Sequence, residues 1–312
     1  MPSFNPILQV GIHIFFLVTG VLGNLFILIV YFSDWVKTHD VNPSTLIISS
    51  IAVINIFYQG TITFNEITNL MFMEFYGQVW VVIPLVAIMC SLAFSSLWCS
   101  TCLCFYYCIK IVNFQGSFFY KLKAKVAVIV PWLLIISIAA SWSFGVPAYW
   151  DLYTDIKVVT ARNVTSLLSF AVRSRCKCLF QIYTMIAAIA FAIIFITAGA
   201  IVTSLCKHMI RMKKNNEGSG NSRIHSHLLA AKTVTSLLVL YLIFYGFLSS
   251  LFNEAENAGT LMFDLSFMVV SSFSTFNSIT LILGNPKLSN SLKKLLCMRP
   301  HTAHTEVPVT TH

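Results

Sequence analysis

The chain has 312 residues, of which 57% are hydrophobic and only 10% are charged. Soluble domains carry about a quarter charged residues, so this chain has too few polar side chains to cover a surface that faces water. The formal net charge of +9 could point to a nucleic-acid-binding protein, but the positions of the basic residues indicate another explanation, given below.

Seven long apolar runs follow one another along the chain. Each is long enough for an α-helix to cross the hydrocarbon core, which takes about 20 residues. Strands of a membrane β-barrel would be about ten residues long, so helices are the predicted elements. The predicted spans are 7–32, 43–65, 80–108, 126–148, 179–206, 230–252 and 262–284. The sequence therefore predicts an all-α membrane protein with a single seven-helix domain over 1–312, of which 285–312 form a cytoplasmic tail.

The orientation of the helices follows from lysine and arginine, which are enriched in cytoplasmic segments. With the N-terminus outside, most basic residues fall on the inner side and most acidic residues, Glu66 and Asp264 among them, fall outside. The basic charge is then a topology signal and a match to anionic inner lipids, and no nucleic-acid partner is expected. The sequon at Asn163 lies in the long loop after the fourth span, so Asn163 is a predicted glycosylation site.

The segment after the seventh span has an amphipathic pattern. Leu288, Leu292, Leu295 and Leu296 share one helical face, which predicts a short helix on the inner leaflet. Cys297 at its end is a candidate for palmitoylation, and an unmodified cysteine is an equal alternative.

The polar residues inside the spans separate classes of membrane protein. Pumps and ion-coupled transporters place charged residues at mid-membrane, and no predicted span has a charged residue at its centre. The intramembrane polar residues are uncharged: Asn24, Asn55, Asn277, Ser278 and Asn285. They form either simple hydrogen bonds between helices or a network that rearranges during activation, and position alone favours the first. No catalytic, cofactor or metal-binding pattern is present, so we do not expect an enzyme.

Five short motifs lie in order at the inner ends of the helices. They are Phe105-Tyr106 with Lys110-Ile111-Val112-Asn113-Phe114; Leu122-Lys123-Ala124-Lys125; Ser204-Leu205 with His208 and Met212; His227 with Ala230 and Lys232; and Asn277-Ser278 with Gly284-Asn285-Pro286-Lys287-Leu288. In this order they resemble the bitter taste receptors, the type 2 taste receptor family, over almost the whole chain. The resemblance implies a G-protein-coupled receptor bundle, a multi-pass protein of the plasma membrane.

Several positions depart from the family pattern. Asn55 stands where the family has an arginine, Ala190 in place of a proline, and Asn277 in place of a histidine. Met89 replaces a tryptophan that is tied to ligand binding in the family, and Ala93 replaces a nearby asparagine. These departures suggest a divergent member, from a non-mammalian lineage, with a changed pocket.

The resemblance also implies a function. A small, mostly apolar bitter compound would bind between helices 3, 5, 6 and 7, and the implied lining residues are Met89, Ala93, Phe94, Phe244, Phe247, Asp264 and Phe267. Asp264 could attract a cationic ligand, although simple solvation at a helix end is the first expectation.

The implied partner on the inner side is a heterotrimeric G protein of the gustducin, transducin or Gi class. The residues expected to face it are Lys110, Lys125, His208, Arg211, Met212 and Lys232. Basic residues there could equally satisfy membrane topology alone. Two other functions remain open: a vomeronasal-type pheromone receptor and, from a different class, a membrane transporter or channel.

Overall fold

A computed structural model describes residues 6–72, 75, 78–112, 117–159, 167–175, 177–215, 221–253 and 261–297. The long helices are α1 (Pro6–Thr38), α2 (Pro43–Met71), α3 (Val79–Ile111), α4 (Ser117–Asp151), α5 (Lys177–Asn215), α6 (Asn221–Asn253) and α7 (Leu261–Gly284), and the short α8 (Pro286–Cys297) follows. In the described part of the chain seven helices are long and apolar enough to cross a membrane. Each predicted span lies inside one of them, and the predicted fold class is confirmed.

A β-hairpin lies between α4 and α5, where the sequence predicted only a long loop. Strand β1 (Leu152–Val159) pairs antiparallel with β2 (Leu167–Ser174), and Leu152 stands opposite Ser174. The backbone N–H of Arg175 donates to the carbonyl of Asp151 at 2.9 Å, which ties the hairpin to the end of α4. Aromatic and β-branched residues in β1 favour a strand, but the charges between them concealed the pattern.

At the inner side of the bundle, the sequence carries recognisable signals for where helices start and end. His39 closes α1 with a positive φ of 52°, a left-handed conformation that follows many helix C-termini. Helix α2 begins with Pro43 at its first position, where a missing N–H has no cost. The side-chain oxygen of Asn285 accepts hydrogen bonds from the backbone N–H groups of Lys287 (3.0 Å) and Leu288 (3.4 Å), so Asn285 caps α8.

Helix α3 lies at the centre of the bundle and contacts α2, α4, α5 and α6, while α1 packs against α2 and α7. Small residues allow close approach, as is usual between membrane helices. A Cβ added to Gly23 of α1 would lie 2.5 Å from Ser278 Oγ of α7. One added to Gly284 would lie 2.8 Å from the Cβ of Thr233, so the inner ends of α6 and α7 are in contact. Exposed apolar side chains such as Phe195 form a surface suited to lipid.

Two acidic residues are buried, contrary to the sequence-based prediction. Glu66 is 3% exposed and Asp264 is 7% exposed, so the expected solvation of Asp264 at a helix end is wrong. Helix α2 continues to Met71, beyond the predicted end at residue 65, and this extra length carries Glu66 into the bundle. Asp264 lies in the first turn of α7, which packs against both α1 and α2.

Candidate ligand-binding site and polar network

Four aromatic side chains meet between α3, α5 and α6, and we call them the aromatic cluster: Phe94, Tyr183, Phe191 and Tyr245. The ring of Phe94 lies 5.4 Å from that of Tyr183 and 6.4 Å from that of Tyr245, and the rings of Tyr245 and Phe191 are 5.5 Å apart. The hydroxyl of Tyr245 donates to the backbone oxygen of Tyr183 at 3.1 Å. Such aromatic surfaces suit a small apolar ligand with a few polar groups.

A second aromatic group lies deeper, between α2, α6 and α7. The rings of Phe244 and Phe273 are 4.2 Å apart, and Tyr241 and Tyr58 lie 5.1 Å and 6.0 Å from Phe273. The hydroxyl of Tyr58 donates to the backbone oxygen of Val270 at 3.2 Å. These contacts join α6 to α7 and α2 in the middle of the bundle.

Tyr241 also connects α6 to α3 through its hydroxyl group. The hydroxyl donates to the backbone oxygen of Ser96 at 2.9 Å, and it lies 3.0 Å from Ser96 Oγ and 2.8 Å from Ser100 Oγ. Ser96 Oγ donates to Asn55 Oδ1 at 3.0 Å, and Asn277 Nδ2 donates to Ser96 Oγ at 3.5 Å. We call Asn55, Ser96, Ser100, Tyr241 and Asn277 the central network, which joins α2, α3, α6 and α7.

Helix α1 joins this network through α7. Asn24 Nδ2 donates to Ser274 Oγ at 3.2 Å, and Ser274 Oγ donates to the backbone oxygen of Asn55 at 3.1 Å. Ser278 instead donates to Thr275 of its own helix at 2.8 Å, and Asn285 caps α8. Of the five predicted polar residues, the structure therefore connects Asn24, Asn55 and Asn277 and places the other two elsewhere.

A third group, the α1–α2–α7 polar cluster, consists of Gln9, His13, Glu66 and Asp264. Gln9 Nε2 donates to Glu66 Oε1 at 2.6 Å, and His13 Nε2 lies 3.9 Å from the same oxygen. Asp264 acts electrostatically on Glu66. The His13 ring lies edge-on to Phe267 at 5.5 Å. This cluster occupies the end of the bundle that the predicted topology places outside.

The structure places four of the seven predicted lining residues in or beside these three groups. Phe94 belongs to the aromatic cluster, and its neighbour Ala93 is buried in the same core. Phe244 lies in the deeper aromatic group, and Phe267 and Asp264 lie at the polar cluster. Partly buried Met89 and Phe247 pack against the core.

Sequence reasoning missed several residues of these groups: Tyr183, Phe191, Tyr245, Tyr241, Ser96, Ser100, Gln9, His13 and Glu66. Inside runs that are apolar on all sides, periodicity does not show which face of a helix is buried. The signal that was present is residue type, because a tyrosine, histidine or glutamate in an apolar helix needs a polar partner.

The inner side presents basic groups near the ends of the helices. Lys110, Lys125 and Lys232 are exposed, and Lys110 Nζ donates to the hydroxyl of Tyr106 at 3.4 Å. Lys287 of α8 pairs with Asp34 of α1 and lies 5.8 Å from the ring of Tyr31.

Some predicted residues are beyond what the structure describes. His208, Arg211 and Met212 lie on α5, which extends to Asn215, but their side chains are not among the described ones. Asn163 lies outside the described residues, and of Cys297 only its place at the end of α8 is described. Among the described residues there is no group of three or more His, Cys, Asp or Glu side chains that could hold a metal ion.

In the described part of the chain, seven apolar helices with α3 at their centre and a polar network between them define a multi-pass membrane protein of the seven-helix receptor class. The family model of the taste receptor proteins (TAS2R) matches residues 1–300. Taste receptor type 2 member 4 of Pan troglodytes is 29% identical over 289 residues, which cover 90% of this chain and 93% of the relative. Member 2 of Homo sapiens is 25% identical over 301 residues, covering 95% and 98%. Member 9 of Pongo pygmaeus is 29% identical over 285 residues, covering 90% of each.

This chain belongs to the taste receptor type 2 family, and the resemblance drawn from the inner motifs is confirmed. It is accordingly a G-protein-coupled receptor of the plasma membrane with several membrane spans. The identities of 25–29% agree with a divergent member, and its non-mammalian origin stays a prediction.

Proposed function

We propose that the receptor detects small, mostly apolar bitter compounds and activates a G protein of the gustducin, transducin or Gi class, without enzymatic activity of its own. The observation that carries the proposal is the aromatic cluster between α3, α5 and α6. Phe94, Tyr183 and Tyr245 bring three aromatic surfaces and a tyrosine hydroxyl to one place. Aromatic walls with a single polar group select for flat, weakly polar molecules and repack around different shapes.

A ligand at this place would act on α6 through the neighbouring Tyr241. Tyr245 lies one turn beyond Tyr241 on α6, so movement of one ring displaces the other. Tyr241 is in turn held by Ser96 and Ser100 of α3. The ligand can favour an active state only by binding it more tightly than the inactive one. The hydrogen bonds of Tyr241 would be intact in the inactive state and rearranged in the active state. The ligand would prefer the second of these two arrangements.

Opening of the inner face would then form a binding cavity for the G protein beside basic groups that are already exposed. The inner ends of α6 and α7 meet at Thr233 and Gly284, next to the exposed Lys232. Separation of these two ends opens a cavity bordered by Lys110 and Lys232, and acidic groups of the partner would bind there. The exposed side chain of Lys125 provides a further basic contact.

The test is a calcium assay in cells that express the receptor together with a promiscuous G-protein chimera, challenged with a panel of neutral bitter compounds. A dose-dependent response that mock cells lack is expected. With the native Gi-class partners instead of the chimera, pertussis toxin should abolish the response. Silence across the panel with surface expression verified would contradict the ligand class, and a response resistant to the toxin would contradict the G-protein class.

A further inference from the structure

The α1–α2–α7 polar cluster lies apart from the aromatic cluster between α3, α5 and α6. Its two carboxyl groups, Glu66 and Asp264, are 3% and 7% exposed, and the charge of Asp264 acts on Glu66. A buried carboxylate is stable only with a compensating positive charge or proton and with hydrogen-bond donors. The negative charge of Asp264 strengthens this demand at Glu66.

The described neighbours of Glu66 meet only part of this demand. Gln9 supplies one hydrogen bond, and the His13 imidazole at 3.9 Å is too far away to supply a second. His13 is fully buried, and neither of its ring nitrogens has a hydrogen-bond partner among the described residues. Thr63 lies one turn before Glu66 on the same face of α2, and its buried hydroxyl likewise lacks a partner in the described part of the chain.

We propose that this cluster is a second ligand subsite, which binds the protonated primary amine of a small arylalkylamine. The inference rests on the receptor function proposed above and adds a ligand class to it. A primary ammonium carries one positive charge and three N–H donors. Glu66, a ring nitrogen of neutral His13 and the Thr63 hydroxyl oxygen are three acceptors for those donors, and Asp264 adds negative charge nearby.

The apolar part of such a ligand also has a surface to contact. Phe267 lies beside His13, and its ring is stacked at 6.4 Å on that of Phe263. An aromatic ring carried two carbons from the ammonium group would pack on these faces, and the ammonium itself is attracted to an aromatic face. The subsite therefore favours arylethylamines over simple alkylamines.

A bare proton or a metal ion fits these groups less well. A proton on Glu66 removes the charge but supplies a single donor, so His13 and Thr63 would gain no partner from it. The described residues contain no group of three or more His, Cys, Asp or Glu side chains that could hold a metal ion, and Glu66 with His13 offers fewer ligands than a divalent ion needs for tight binding. The ammonium group meets both the charge and the hydrogen-bond requirement.

The experiment measures thermal stability of the purified full-length receptor in lipid nanodiscs with two probes of nearly the same shape. These are 2-phenylethylamine, protonated at pH 7.4, and the neutral 2-phenylethanol. The amine should raise the unfolding midpoint of the wild type and the alcohol should not. Glu66→Gln should weaken the effect of the amine at least tenfold in concentration. Asp34→Asn, which removes a carboxylate at the inner end of α1, should leave that effect unchanged.

Thr63→Val is the second variant, in case Glu66→Gln does not fold. Its hydroxyl bonds no described residue, so the fold should persist while the amine binds about tenfold more weakly, the loss expected for one hydrogen bond to a charged group. An equal shift with the alcohol, or a full amine effect in both variants, would overturn the subsite. Because the measurement needs no G protein, a receptor that binds the amine but never signals contradicts only the proposed function.

Discussion

The two sides of the ligand-facing half of the bundle are held together by different forces. Between α3, α5 and α6, the aromatic cluster packs with one hydrogen bond, from Tyr245 to the backbone of Tyr183. Between α1, α2 and α7, the contacts are polar and directional, and the bonds of Gln9 to Glu66 and of Asn24 to Ser274 are examples.

This difference suggests a division of labour. Hydrogen bonds hold two helices in one register, whereas apolar rings slide and repack at little cost. The α1–α2–α7 side is therefore a fixed frame, and the α3–α5–α6 side is the adaptable part. Tyr241 lies at the boundary, since its hydroxyl bonds α3 and its ring packs on Phe273 of α7. A ligand on the adaptable side can then move α6 relative to the frame.

The largest expected effect comes from disturbing the frame at Gly23. An added Cβ would lie 2.5 Å from Ser278 Oγ, and Ser278 cannot move away without losing its bond to Thr275. We expect Gly23→Ala to reduce the free energy of unfolding by about 1–3 kcal/mol, the usual cost of overpacking. The midpoint of thermal unfolding in nanodiscs measures it.

The matched control for this change lies on the same helix. A Cβ at Gly11 meets nothing within 4 Å, so Gly11→Ala should leave stability unchanged or raise it slightly through helix propensity. Equal losses of stability in Gly23→Ala and Gly11→Ala would show that helix α1 is sensitive to any added methyl group. Close packing of α1 on α7 would then not be the cause.

The second prediction concerns a variant that removes the connection between the fixed frame and the adaptable side. Tyr241→Phe deletes the hydroxyl that holds α6 to Ser96 and Ser100. Hydrogen bonds between membrane helices contribute about 0.6–2 kcal/mol each. We expect basal signalling without agonist to rise several-fold, because α6 then leaves α3 more easily.

Tyr58→Phe serves as the comparison for Tyr241→Phe. The Tyr58 hydroxyl donates to the backbone of α7, inside the frame, so this hydrogen bond does not involve α6. This variant should lose stability without a rise in basal signalling. Basal activity that rises equally in the two variants would remove the special role of the α3–α6 bond.

Much of the fold could be predicted from the sequence, because length and apolarity alone define a membrane helix. The end of α2 was harder to predict. A charge at the edge of an apolar run marks the end of a span by composition, yet Glu66 lies inside α2, which continues to Met71. The helix can continue because α1 supplies Gln9 and His13 as neighbours of Glu66, and the sequence of the run itself does not show such tertiary partners.

The site was predicted only in part for a similar reason. Helices that are apolar all round give no periodic signal for their buried face. Phe94 and Phe244 were named through the family resemblance, but Tyr183 and Tyr245 become neighbours only when α5 and α6 pack against α3. The β1–β2 hairpin was missed because Asp155 and Lys157 interrupt the apolar pattern of β1.

The third prediction concerns the adaptable side. Phe94→Leu keeps an apolar side chain but removes the ring contacts to Tyr183 and Tyr245. Aromatic pairs contribute about 0.5–1.5 kcal/mol beyond burial, so the potency of neutral agonists should fall about 2- to 12-fold. Phe276→Leu, an exposed position on α7, should leave dose–response curves unchanged. Unaltered potency in Phe94→Leu would place the ligand elsewhere.

The smallest expected effect is a difference in stability between two variants within the frame, one that loses a hydrogen-bonded hydroxyl and one that loses a hydroxyl without a described partner. Thr275 Oγ1 donates to the backbone oxygen of Phe16 at 3.1 Å and so joins α7 to α1. Thr63 is also buried, but its hydroxyl has no partner among the described residues. Both can be replaced by isosteric valine, so packing is conserved in either variant. Thr275→Val should reduce the free energy of unfolding by about 0.6 kcal/mol, and Thr63→Val should not reduce it, since no bond to a described residue is lost. A greater loss for Thr63→Val would show that its hydroxyl is part of the frame, and the subsite proposed beside Glu66 would then lose one of its free acceptors.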